Sequence, residues 1–196
     1  MKIIELILDE EQGIGVEAIS VVESPAIESD FIALKSEQIQ LAEINKEKRL
    51  LMGALLIPEK PIYRKNEKEE YYVFFSKDTI VKASEMYFTK GNQSNSTLEH
   101  KDKLDGMVVV QTWIKEDMTM DKSKLYNLDV PIGTWMAAIK VTNDDVWNNY
   151  VKTGKVKGFS IEGYFADKLV ETKHDEKLSL EDEQLLTDLI KLLTDG

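Results

Sequence analysis

The chain of 196 residues contains no cysteine, which excludes disulfides and thiolate metal sites. Histidine is nearly absent too. Only His100 and His174 occur, too far apart in sequence to form a metal-ligand spacing. Any imidazole chemistry therefore rests on one of these two residues. No apolar run approaches the roughly 20 residues needed to span a bilayer, so no membrane is expected. Met1-Lys2-Ile3-Ile4-Glu5 meets charge within five residues, which argues against a signal peptide and for a cytoplasmic location. Basic residues are the minority: 25 Lys and Arg stand against 36 Asp and Glu, a net charge of −11. Phosphate backbones are bound by clustered cations, so nucleic acid is not an expected partner. No cofactor motif is present, and neither a cofactor nor a metal is expected.

What remains is enough for one domain with a core of its own and an appended tail. Hydrophobic residues make up 42%, well clear of a disordered composition. The reading places a main domain over 1–166, with N-terminal strands and an arm in 1–45, and a charged linker with a terminal amphipathic helix over 167–196.

In order, Lys2 to Leu8 and Val16 to Val22 read as strands, the second stopped by Ser24-Pro25. Gln38 to Ile44 alternates and is a further strand candidate. Leu50 to Ile57 is apolar throughout, as a strand buried on both faces is. Ile62 to Arg64 and Tyr71 to Phe75 flank a charged turn in a hairpin pattern. Ser76 is placed to cap a helix whose apolar stripe runs through Ile80, Val81, Ala83, Met86, Tyr87 and Phe88 to a stop at Gly91. Met107 to Trp113 and Thr134 to Val141 are strands, separated by an irregular polar loop over 115–129. Asn143 caps a short helix that ends at Gly154. Beyond Phe165, Ser179 and Asp182 open the terminal helix, with Leu180, Leu185, Leu186, Leu189, Ile190 and Leu193 on its apolar stripe. Trp113, Trp135 and Trp147 are most simply core aromatics. Seven or eight strands joined by short turns, with two internal helices, predict an α+β fold: a small, mainly antiparallel β-barrel with peripheral helices.

The stretch Gly158-Phe159-Ser160-Ile161-Glu162-Gly163-Tyr164-Phe165 carries the chemistry. Period two puts Ser160 and Glu162 on one strand face and Phe159 and Ile161 on the other. A serine needs a base to become a nucleophile, and His100 lies sixty residues upstream, after a polar loop and at the start of another strand-like run. By pattern alone, a strand serine is most simply a plain β-residue, and such a histidine most simply a hydrogen-bonded surface residue. The Gly-x-Ser-x-Gly elbow is not matched, because the glycines stand at 158 and 163.

The order of blocks adds to this. Thr97-Leu98-Glu99-His100, Leu104-Asp105-Gly106, Gly133-Thr134-Trp135 and Lys157 to Phe165 together resemble the phage prohead (capsid maturation) serine proteases, in particular the XkdF-like branch. Gly15 to Glu28 is similar to the opening of such proteins. The resemblance implies a serine endopeptidase with a fold like that of the herpesvirus assemblins. Ser160 would be the nucleophile and His100 the base. Glu162 is the first choice for the third member, with His174, Asp175 and Glu99 as alternatives, or no third member at all. The implied substrates are scaffold and major capsid proteins, cleaved inside the assembling prohead in the host cytoplasm, with self-cleavage and activation through a homodimer or higher oligomer. The alternative is a non-catalytic capsid-assembly or scaffolding protein on the same fold.

Overall fold

A computed structural model describes residues 2–8, 15–26, 32–34, 48–65 and 68–169. The first half of the chain supplies β1 (Lys2–Ile7), β2 (Val16–Val22), β3 (Ile32–Leu34), β4 (Leu50–Leu56), β5 (Ile62–Lys65) and β6 (Glu70–Phe74). Helix α1 (Lys77–Thr89) follows, then β7 (Ser96–Leu98), β8 (Asp102–Leu104), β9 (Met107–Ile114) and the single turn α2 (Lys122–Leu125). The last elements are β10 (Trp135–Val141), α3 (Asp144–Val146), which runs on as a π-helical turn over Trp147–Val151, β11 (Gly158–Gly163) and β12 (Ala166–Leu169).

The class is α+β with strands predominant, as expected. The closed barrel is not formed. The described strands make three sheets of four, in the orders β12-β1-β6-β5, β3-β4-β10-β9 and β11-β2-β7-β8. Closing a barrel requires a continuous ladder with consistent stagger. Here each sheet keeps two edges, and two sheets are built around parallel pairs, β1 with β6 and β2 with β7. Such pairs join segments far apart in the chain, which a count of hairpins does not reveal.

The core is where the sheets face one another. Leu51, Met52, Leu55 and Leu56 of β4, Trp135, Met136 and Ile139 of β10, Ile19 and Val21 of β2 and Phe159 of β11 are all excluded from solvent. Each such side chain contributes about 1.5–3 kcal/mol by leaving water. α1 packs on this core through Ile80, Ala83 and Tyr87, and the Tyr87 ring meets Trp135 edge-on at 5.6 Å. Its start is the expected one, with the Thr79 amide donating to the Ser76 hydroxyl at 3.4 Å. Asn143 caps α3 in the same way, accepting from the Val146 amide at 3.1 Å. Trp135 and Trp147 are buried, whereas Trp113 is half-buried and turns its indole N–H to the Asp121 carboxylate. Among the described residues no helix is long and apolar enough to cross a membrane. The expected strand over Gln38 to Ile44, and the chain from 170 onward with its expected helix, lie outside the described residues.

Candidate active site

β11 is the end strand of its sheet and pairs antiparallel with β2. Ser160 stands opposite Ser20, Glu162 opposite Ala18 and Phe159 opposite Val21. Facing residues of paired strands project to the same side, so Ser160, Glu162 and Ser20 share a face while Phe159, Ile19 and Val21 fill the core on the other. β7 runs parallel on the far side of β2 and brings Thr97 beside Ser20 on that same face. The β11 register shifts between Glu162 and Gly163, where the strand passes tightly over Gly15. A Cβ at Gly163 would lie 2.1 Å from the Gly15 carbonyl oxygen, so only glycine fits this crossing.

His100 does not begin a strand. It occupies the turn between β7 and β8, where Glu99 and His100 have φ of +51° and +57°. The Lys101 amide closes this turn onto the Leu98 carbonyl at 3.0 Å. Two successive non-glycine residues in the left-handed region cost about 1–2 kcal/mol each, and β2 holds them there. The His100 amide donates to the buried Ser20 hydroxyl at 3.0 Å, and the Glu23 amide donates to the Glu99 carboxylate at 2.7 Å. Backbone strain fixed by long-range bonds is typical of functional sites.

The turn lays the imidazole across the sheet toward β11. His100 Nδ1 lies 3.1 Å from Glu162 Oε1, and the Thr97 hydroxyl donates to the same carboxylate oxygen. The Ser20 hydroxyl, at 3.4 Å from the Thr97 carbonyl, completes the network. An Nδ1–H pointed at a carboxylate leaves Nε2 as the free acceptor, the form a general base needs. The pair is half in solvent, with side-chain exposures of 44% for His100 and 29% for Glu162. Ser160 shares the face with both, but no hydrogen bond joins it to His100. Of the other candidates for the third position, Glu99 is engaged by the Glu23 amide, and His174 and Asp175 lie outside the described residues. Among the described residues, no group of three His, Asp or Glu side chains could hold a metal ion.

Beside Ser160 the chain forms a cleft of about 190 Å³ where the three sheets meet. Its walls come from β11, from Leu55 and Leu56 of β4, from Ile62 and Arg64 of β5, and from Phe75 and Phe165. None of these wall residues belongs to β2, so the cleft follows the other edge of β11.

A family model described as "Putative phage serine protease XkdF" matches residues 38–169, more than half of the chain. The chain belongs to that family. No curated protein and no solved structure matches it. In this XkdF-family chain, Ser160, His100 and Glu162 all fall inside the matched span, whereas Ser20, which holds the His100 backbone, falls outside it on β2. Ser20 and Thr97 are the site residues that the sequence reading missed. Thr97 stands in the block that precedes His100, and its hydroxyl donates to the Glu162 carboxylate. For Ser20 the available signal was a lone hydroxyl in the apolar run from Ala18 to Val22, a polar group that burial obliges to find partners.

Proposed function

We propose that the chain is a serine endopeptidase of phage prohead maturation, with Ser160, His100 and Glu162 as its catalytic group. The observation that carries the reading is the His100–Glu162 contact at 3.1 Å, on the strand face that also presents Ser160 two residues away. In this scheme Ser160 Oγ attacks the scissile carbonyl, and His100 Nε2 takes its proton and returns it to the leaving amine. The Glu162 carboxylate orients the ring through Nδ1 and stabilises the imidazolium. A serine–histidine hydrogen bond that tightens only when substrate binds is common among such enzymes. The position of His100 on a turn leaves its ring half exposed and able to swing onto Oγ.

The substrates on this reading are scaffold and major capsid proteins inside the prohead, and the chain itself. Activity is switched on by assembly into a homodimer or larger oligomer. The test is co-expression with the cognate capsid and scaffold proteins, comparing wild type with Ser160→Ala by intact mass. Fragments that appear with wild type and vanish in the variant support the reading, and their ends give the cleavage site. Identical masses with normal particles favour a non-catalytic assembly factor. Cleavage that proceeds equally well in a dilute monomer removes the oligomer switch.

A further inference from the structure

We propose that the open pocket beside the His100 turn is the docking site for the acidic, leucine-rich segment 179–193 of this same chain. The inference stands on exposed surface, charge and reach, and does not depend on the protease reading.

The surface comes first. A pocket of about 400 Å³ lies between the turn after β7 and the chain that leads into β11. Leu98, Tyr150 and Val156 give it an apolar wall. Val156 is buried, but Leu98 and Tyr150 are only half-buried, so a further apolar side chain gains contact there without opening the core. Lys101 and Lys155 stand exposed at the rim. Lys155 Nζ lies 5.4 Å from the centre of the Tyr150 ring, a cation–π contact that keeps the ammonium beside the apolar wall.

Charge selects the occupant. Glu23 and Glu99 also line the pocket, and the Glu99 carboxylate is taken up by the Glu23 amide at 2.7 Å. Around them the balance is basic. The stretches 97–104 and 150–157 carry Lys101, Lys103, Lys152, Lys155 and Lys157 against Glu99 and Asp102, on a chain of net charge −11. Residues 170–196 carry the opposite sign, with eight Asp and Glu against three Lys, a net charge of −5. Their apolar stripe through Leu185, Leu186, Leu189, Ile190 and Leu193 also needs a surface, because a lone helix of about 15 residues is marginal in water.

Reach favours this chain over a separate protein. β12 ends at Leu169, and the ten residues 170–179 can extend to about 33 Å, the diameter of a small domain. A short tether holds its segment at an effective concentration of about 1 mM. A contact too weak to capture a free partner is therefore occupied here.

The test exploits the absence of cysteine. Glu23→Cys and Thr187→Cys are introduced together into the full chain and bridged with a short bis-maleimide. The background is Ser160→Ala, so that self-cleavage cannot remove the segment. The expected product is a bridge within one chain, identified by intact mass and by monomer mobility after denaturation. Its yield should fall about fivefold when salt is raised to a level that screens charges beyond a few ångströms. Lys101→Glu with Lys155→Glu should lower it by a similar factor, and Glu181→Lys, Asp182→Lys and Asp188→Lys added to that pair should restore it. Leu185→Asp with Leu189→Asp lies outside the described domain and keeps the test open should the lysine variants fail to fold. That pair should abolish the bridge and quicken amide exchange over 98–101 and 150–156. No bridge, a bridge formed only between chains, or a yield indifferent to both the lysine and the leucine variants overturns the proposal, whether or not the chain is a protease.

Discussion

Phe159 and Ile161 alternate with Ser160 and Glu162 along one six-residue strand, and the two sets answer to different demands. On the inner face, Phe159 meets Ile19 and Val21 with no solvent access, and its contribution is burial. On the outer face, Glu162 is held by Thr97 and His100 with more than a quarter of its side chain in water. Its energetic contribution to the fold is correspondingly small, because partly exposed ion pairs contribute about 0–1 kcal/mol. The inner face fixes where the backbone lies, and the outer face uses that fixed backbone to aim side chains. Substitutions on the two faces should therefore separate stability from activity.

The largest effect expected is on the outer face. Glu162→Gln removes the charge that, in the proposed mechanism, orients and stabilises the imidazole. Loss of the equivalent carboxylate in a serine protease lowers turnover on the order of 10⁴-fold, equal to about 5 kcal/mol of barrier. Denaturant unfolding should move by no more than about 0.5 kcal/mol. A variant that keeps wild-type cleavage rates would remove Glu162 from the catalytic group and leave a dyad.

Next comes the inner face. Phe159→Ala leaves a cavity under β2 and should cost about 3–5 kcal/mol of stability, read as an earlier midpoint in urea. A loss below about 1 kcal/mol would mean that the two faces are not divided as described.

Ser20 tests the boundary between them. It sits on the outer face but is fully buried, and its hydroxyl accepts the His100 amide. Ser20→Ala leaves that amide without its partner, at a cost of about 1–3 kcal/mol. Amide exchange at His100 should quicken while Phe159 keeps its protection, and cleavage should fall although Ser160, His100 and Glu162 all remain. Unchanged exchange at His100 would show that the turn holds its left-handed geometry without β2.

The strand faces were legible in the sequence because alternation survives in the linear pattern: Gly158 to Glu162 gave the two faces and the Ser160–Glu162 pairing directly. Buried β4 and the cap at Ser76 were legible for similar local reasons, an unbroken apolar run and a hydroxyl before a helical stripe. The parallel pairings were not, since nothing local in Val16–Val22 names Ser96–Leu98 as its neighbour. That long-range choice separates three sheets from a barrel, and it also delivers His100. The histidine was expected to lead a strand, but its backbone is held in a turn by a serine eighty residues away.

The loop over 115–133 gives the smallest effect and sharpens the comparison from outside the sheet, because there polar side chains do hold structure. The Asp117 carboxylate accepts from the Met120 and Thr119 amides, at 2.8 and 2.6 Å, and these bonds keep its carboxyl below the usual range. Burial pushes the Asp121 carboxyl up, but the Ser123 amide, the Trp113 indole and the charge of Lys115 outweigh it and hold it low as well. A carboxyl depressed in the folded state adds stability that is complete above its unfolded value and is lost as pH falls through the folded one. The loop should therefore be indifferent to pH from neutrality down to about 5 and loosen only below about 4. Trp113 reports this directly, since its N–H is bonded to Asp121. The fluorescence difference between wild type and Trp113→Phe should change below about pH 4 while the sheet amides stay protected. A change already complete at pH 6 would mean that these carboxylates are not what closes the loop, and polar contacts would then be secondary to burial there as they are on β11.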